Sequence, residues 1–230
     1  MALAGKYRHE LKYAIGEGEY RALKSRLASV MQPDAHARAD GSYLIRSIYF
    51  DNYRDKALRE KLDGVQQREK FRIRWYCDDL SFIALEKKVK RNDLCQKLSA
   101  PLDREELEKI LFSPGEWMRA HPQPLVQELF FKMRTQQLRP RVQVSYLREA
   151  YVYAPGNVRI TFDSDLRTSL FCTAFLRAPD PNLCAADTPD ARLLEVKFDE
   201  FLPDVIAGLL QTGCLRQQAF SKYAACRRFG

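Results

Sequence analysis

The sequence predicts an α+β protein built on an antiparallel β-barrel of about eight strands, with helices around it. Several separate segments alternate charged and apolar residues with period two, the mark of a strand with two distinct faces. Helical segments fall between them, as in βαβ units. Parallel strands buried on both faces, however, read as continuous apolar runs, which these do not. A closed barrel of about eight strands turns one residue set inward and leaves room for a ligand. No internal repeat, low-complexity tract or Gly/Ser-rich linker divides the chain, so residues 1–230 read as one domain.

The elements follow in order. Lys6 to Ile15 is a strand with Arg8, Glu10 and Lys12 on one face and His9, Leu11, Tyr13 and Ile15 on the other. Glu17 to Met31 is a helix with Tyr20, Leu23, Leu27 and Val30 as its apolar stripe, ended by Pro33. Ser42 to Asp51 is β-rich, and Tyr53 to Leu62 is a short helix. Lys70 to Cys77 is the clearest strand: Lys70, Arg72, Arg74 and Tyr76 alternate with Phe71, Ile73, Trp75 and Cys77. A turn at Asp78-Asp79 leads to Phe82–Lys90, with Glu86, Lys88 and Lys90 on one face. Asp103 to Leu111 is a helix capped by Asp103 with Glu106 three residues on. Residues 114–124 are a loop, and Val126 to Gln137 is helical. Strands resume at Arg141–Val152, Val158–Asp163 and Leu193–Phe198, and helices close the chain at Pro203–Leu210 and Ser221–Arg228.

Composition narrows the function. Hydrophobic residues make up 46% and aromatics 11%, enough for a sizeable core and against wholesale disorder. The net charge of +8 predicts an affinity for anions. Neither a secretory leader nor an apolar run of membrane-spanning length is present, which predicts a soluble cytoplasmic protein. Cys77, Cys95, Cys172, Cys184, Cys214 and Cys226 are scattered with no CxxC pair; buried structural thiols are expected rather than disulfides or zinc.

The unusual feature is what the strands carry at spacing two: Arg8/Glu10/Lys12, Lys70/Arg72/Arg74, Glu86/Lys88/Lys90 and Glu195/Lys197. One such segment is ordinarily a solvated strand face. Four with the same basic-plus-acidic pattern point to a shared interior. Unpartnered buried charges cost several kcal/mol each, so such a lumen makes sense only wet and built for a polyanion. Triphosphate or polyphosphate fits best, because phosphate accepts bidentate Arg bonds and Lys point charges. Glu10, Glu86 and Glu195 would offset charge or hold a divalent cation.

The segments Tyr7–Tyr13 (YRHELKY), Arg46–Asp51 (RSIYFD), Phe71–Arg74 (FRIR), Leu85–Lys88 (LEKK), Ser145–Ala150 (SYLREA), Arg159–Asp163 (RITFD), Leu194–Lys197 (LEVK) and Ser221–Tyr223 (SKY) follow one another in order. Together they resemble the VTC catalytic domain, the polyphosphate polymerase of the vacuolar transporter chaperone complex, within the triphosphate tunnel metalloenzymes. The resemblance covers nearly the whole chain. It implies a tunnel of antiparallel strands, a divalent metal (Mn²⁺ or Mg²⁺), and transfer of the ATP γ-phosphate onto polyphosphate. Carried over, Lys12, Arg72, Arg74, Lys88, Arg148, Arg159 and Lys222 would grip phosphates, Glu195 would ligate metal, and Ser221 and Tyr146 would donate hydroxyls. Arg46 and Lys97 are further candidates, and Lys70, Lys90 and Lys197 join the phosphate set from their strand faces. The eukaryotic relatives add a sensor domain and a membrane anchor, so the expected form is a stand-alone, bacterial-type one. In Arg141–Arg148, strict alternation groups Arg148 with Tyr146, Val144 and Val142; either a bulge or a partly apolar inner face is expected. An inorganic triphosphatase or nucleotide cyclase of the same architecture resembles an ExExK first strand; here Arg8 stands where the first glutamate would. A non-catalytic binder of polyphosphate or RNA is the rival from another class. Nucleic acid is not the expected partner, because the aromatics alternate away from the charges.

Overall fold

The computed structural model describes residues 6–170, 176, 182–188, 190–213 and 215–228. Its strands are β1 (Arg8–Ile15), β2 (Gln32–Pro33), β3 (Ser42–Asp51), β4 (Gln67–Tyr76), β5 (Asp79–Arg91), β6 (Leu94–Leu102), β7 (Arg139–Tyr153), β8 (Val158–Leu170), β9 (Cys184–Ala185) and β10 (Arg192–Phe198). Its helices are α1 (Glu17–Ala28), α2 (Lys56–Leu62), α3 (Arg104–Phe112), α4 (Pro124–Thr135), α5 (Asp204–Leu209) and α6 (Lys222–Cys226).

The strands pair in the order β2-β7-β3-β4-β5-β6-β1-β10-β8-β9, and a further β7–β8 pairing joins the two ends into a ring. Every registered pairing is antiparallel. Eight strands make the ring, and the two-residue β2 and β9 are appended to it, so the α+β barrel expected from the alternation is what forms. The joints differ in strength. β7 and β8 share a long ladder, whereas among the described residues β1 and β6 pair only at Arg8↔Cys95 and His9↔Leu94.

Two oily layers lie outside the ring. The outward residues Ile48, Phe50, Phe71, Ile73, Trp75 and Leu85 pack against Leu107 and Ile110 of α3 and Val126 and Leu129 of α4. Ile160, Phe162, Leu194 and Val196 pack in the same way against Tyr20, Leu23 and Leu27 of α1 and Ile206 of α5. A third cluster lies on the inward side, joining β3 and β7 to α6 through Tyr43, Ile45, Tyr49, Val142, Val144, Tyr146 and Tyr223.

Local chemistry explains most boundaries. Asp103 Oδ1 accepts from the Glu106 amide at 2.7 Å while Glu106 Oε2 accepts from the Asp103 amide at 2.9 Å, the reciprocal cap that starts α3. Pro124 opens α4, where its missing N–H costs nothing. Several boundaries differ from expectation; β8, for one, runs on to Leu170 instead of ending at Asp163. The helix α1 stops at Ala28, and Pro33 is paired with Tyr151 in β2. The β4–β5 turn is Cys77-Asp78, both at positive φ (53° and 58°), as a two-residue hairpin of the right twist requires. Residues 116–118 form a 3₁₀ turn within the expected loop. β6 was not expected at all.

The two alternatives for β7 both hold. The β7–β8 register shifts between Ser145 and Leu147, a bulge. Val142 and Val144 also give the strand's inner face an apolar half. Of the cysteines, Cys77, Cys95, Cys184 and Cys226 are free; Cys226 is buried and Cys184 exposed. Cys172 and Cys214 lie outside the described residues. Among the described residues no helix is long and apolar enough to cross a membrane.

Candidate active site in the barrel lumen

Strand register carries the charged faces to one place. On β1 and β10, Glu10 stands opposite Lys197 and Lys12 opposite Glu195. On β4 and β5, Lys70 faces Lys88 and Arg72 faces Glu86, while Arg74 stands opposite Ser47 of β3. β7 and β8 bring Arg148 opposite Asp163. The α6 segment adds Ser221 and Lys222 from the end of the barrel. Lys12, Lys70, Arg72, Arg74, Lys88, Arg148, Lys197 and Lys222 line one inner cavity of about 60 Å³ with Glu10, Glu195, Tyr49, Tyr146 and Ser221.

Glu195 is the hub of this cluster. Its carboxylate meets Lys12 at 3.2 Å, Lys222 at 3.3 Å, Lys197 at 3.1 Å and Arg148 at 3.3 Å. Burial opposes its charge, but Lys197, Lys222, Lys12 and Arg148 outweigh burial and hold the carboxyl well below its ordinary range. Asp163 takes Arg148 in a two-pronged bond, at 2.6 and 2.7 Å, and also receives Lys222. Glu86 is held by Arg72 at 2.6 Å and by Lys97 at 2.8 Å. Glu10 receives Lys88 and, at 3.3 Å, Lys12. Even counting Glu86 and Asp163, lumen cations outnumber carboxylates two to one.

That excess perturbs the groups without a carboxylate partner. Lys70 donates to the Ser221 hydroxyl at 3.4 Å and lies over the Tyr49 and Tyr223 rings at 5.7 and 6.0 Å. Burial lowers its ammonium, Tyr49 pulls the other way, and Lys88, Lys12 and Arg72 add to the lowering, leaving it at about 8. The Tyr49 hydroxyl accepts from Arg72 at 2.9 Å. Burial would raise its pKa, but Arg72, Lys70 and Arg74 bring it down to about 7.

Not every expected residue joins the cluster. Arg46 sits on the opposite face of β3, alternating with Ile48 and Phe50, and pairs with Asp78 at 2.6 Å. Arg8 pairs with Asp199 at 2.7 Å. Arg159 shares the inner face of β8 but is drawn to Asp34 and to the Tyr43 hydroxyl, at 2.5 and 2.9 Å. Lys90 lies one step further out, in a wider mouth. Three lumen residues went unread in the sequence: Tyr49, Asp163 and Thr161. Asp163 and Thr161 alternate with Arg159, so strand parity alone would have found them.

The family model for the VTC domain matches residues 7–229. This chain belongs to the VTC domain family. Solved structures with the same fold include HpAC1 of Hippeastrum (13% identity, TM-score 0.54, covering 96% of this chain and 95% of that one), whose reported activity is dominantly that of a triphosphatase. A Bacillus halodurans protein provisionally assigned as an adenylate cyclase aligns at 16% identity and TM-score 0.52, covering 91% of this chain and 88% of that one. The PH1819 protein of Pyrococcus horikoshii OT3 aligns at 12% identity and TM-score 0.51, covering 95% and 97%. No curated protein matches the chain. The ring of antiparallel strands in this VTC domain is the triphosphate tunnel fold.

Triphosphate tunnel enzymes are generally dependent on a divalent metal, so the lumen oxygens are worth testing against one. Glu195 and Asp163 approach each other through shared contacts with Arg148 and Lys222. Opposite Glu195 in the register stands Thr161, whose buried hydroxyl has no hydrogen-bond partner. Among the described residues no cluster of three or more His, Cys, Asp or Glu is placed to hold an ion. Mg²⁺-like ions keep several waters and bind through one or two carboxylates plus substrate phosphate oxygens. The donor set fits an ion that arrives with phosphate, and does not fit one caged by protein alone.

Proposed function

We propose that this VTC domain is a polyphosphate polymerase that moves the γ-phosphate of ATP onto the end of a polyphosphate chain. The observation that carries this reading is the two-to-one excess of cations over carboxylates around one inner cavity. Phosphoryl transfer asks the protein for positioning and charge stabilisation rather than covalent chemistry. Arg72, Arg74 and Lys88 hold the triphosphate. Arg148 and Lys222, braced by Asp163 and Glu195, meet the charge that builds on the transferred group. A terminal phosphate oxygen of the chain bonds to the γ-phosphorus as the bond to the β–γ bridging oxygen breaks, and ADP leaves. That nucleophile is ionised at neutral pH, so no dedicated base is needed. His9, the one imidazole near the lumen, is stacked on Phe198 at 5.1 Å. A divalent ion held by Glu195, with Asp163 and Glu10 as further candidates, would neutralise phosphate charge.

The test is to incubate the purified protein with ATP and Mn²⁺ while following ADP and long-chain phosphate. Polymer formed in step with ADP is the expected result. Free orthophosphate would mean a triphosphatase, the activity reported for HpAC1. Cyclic nucleotide would mean a cyclase, and tight binding without turnover under any divalent metal would mean a non-catalytic polyanion binder.

A further inference from the structure

The inner cavity opens into a much larger one, of about 490 Å³. Glu10, Lys12, Lys70, Lys88 and Ser221 line both, so the two are continuous. The outer chamber lies where β1 runs on past the start of β6. Their ladder ends at Arg8 and His9, and the next cover on that edge of β1 is the 217–220 segment, through the Tyr13↔Gln217 bridge and the Gln218 amide bonded to the Lys12 carbonyl. The chamber is therefore entered through the side of the ring, beside α2.

Its charge is of a different kind from that of the inner site. Inside, each carboxylate is braced by several cations. In the chamber Lys61, Arg68 and Lys90 are added, and among the described residues none of them pairs with a carboxylate. Lys61 donates to the Ala219 carbonyl at 2.9 Å, and Arg68 donates to the Val65 carbonyl. Of the carboxylates lining the chamber, Glu10 is taken by Lys12 and Lys88, and Glu69 by Lys87 and Lys132, which leaves Asp93 alone to set against the three added cations. Burial, then Arg68, Lys12 and Lys90, lower the Lys61 ammonium, so these cations stand close enough to repel one another. A polyanion relieves that repulsion.

We infer that this lateral chamber is a binding site for the polyphosphate chain beyond its reacting end, with Lys61 and Arg68 as chain-holding residues. The inference takes the identity of the polyanion from the polymerase reading. It separates two jobs: the inner cluster grips a few phosphates, and the chamber grips the length of the chain. Residues that hold only the chain set how long the product grows and leave the affinity for a short phosphate unchanged.

The test measures binding at equilibrium, without metal, of inorganic tripolyphosphate and of a long-chain polyphosphate of defined length. Wild-type protein is compared with Lys61→Gln/Arg68→Gln. Long-chain affinity is expected to fall about tenfold or more, with the slope of log affinity against log salt reduced by about one to two, roughly one counterion for each cation lost. Tripolyphosphate affinity is expected to stay within about twofold. Lys61→Arg/Arg68→Lys should keep long-chain affinity, and each single Gln variant should show a smaller loss if the double variant folds poorly. Equal losses for both ligands, or none for either, would overturn the inference. So would a single-stranded RNA that binds the wild type as tightly as polyphosphate and loses as much in the variant. These measurements need no turnover, so a protein that makes no polymer from ATP yet passes them refutes the polymerase reading alone.

Discussion

Glu195→Gln separates the role of the hub carboxylate from its shape. In the folded protein four cations converge on it at 3.1–3.3 Å. An amide of the same size leaves them facing one another. Losing one partner of a buried ion pair costs about 3–5 kcal/mol, and for a chain of this length each kcal/mol lowers Tm by about 2–4 °C. The expected loss is therefore roughly 6–20 °C. Added tripolyphosphate should restore part of it, about 2.7 kcal/mol at a hundredfold excess over Kd. With one negative charge gone from the lumen, tripolyphosphate without metal should bind roughly tenfold tighter, about 1.4 kcal/mol. That is a fraction of the about 4 kcal/mol between unit charges 4 Å apart at an effective dielectric of 20. Turnover moves the other way, falling about 10²–10³-fold as a preorganised electrostatic group is lost. Calorimetry for affinity, a thermal melt for stability and ADP release for turnover read the three effects separately. Turnover within tenfold of wild type, or weaker tripolyphosphate binding, would refute the assignment of Glu195 as the hub.

Three further outcomes follow from the same geometry. Lys70, at about 8, is cationic below that pH and neutral above it, so KM for ATP should rise as pH passes 8. Lys70→Met should flatten that limb, and the same residue should add to folding stability as pH climbs from about 8 toward the unfolded value near 10.4, where the unfolded chain binds the extra proton. Asp163→Asn should lower kcat about 10- to 100-fold, since Asp163 braces Arg148 and Lys222; steady-state kinetics decide it. Trp75→Ala, in the buried outer wall, should cost about 3–5 kcal/mol of stability by denaturant melt while leaving KM unchanged at a permissive temperature.

Strand parity made most of this architecture readable. Phe71, Ile73 and Trp75 announce an outer wall, and Arg72 and Arg74 between them announce a charged bore, before any coordinate is consulted. The same parity excludes Arg46, which alternates with Ile48 and Phe50; its motif suggested the lumen, and its position on the strand placed it in the wall. β6 escaped notice because Pro101 lies in it. Proline is tolerated there since, among the described residues, β5 is the one registered neighbour of β6 at that point. Asp163 stood in plain view, but no periodicity tells which cations a carboxylate will meet from two other elements. The chamber was invisible for a related reason: it depends on how far β1 overshoots β6, a matter of stagger that face patterns do not encode.

The two-residue join between β1 and β6 has a mechanical consequence. A ring of paired strands has no free edge to fray, except where its hoop is thinnest. Among the described residues, that join holds the Arg8–Cys95 and His9–Leu94 pairs, far fewer than join β7 to β8. Amide hydrogens along Arg8–Leu11 and Leu94–Lys97 should therefore trade with solvent sooner than those of Val142–Tyr151.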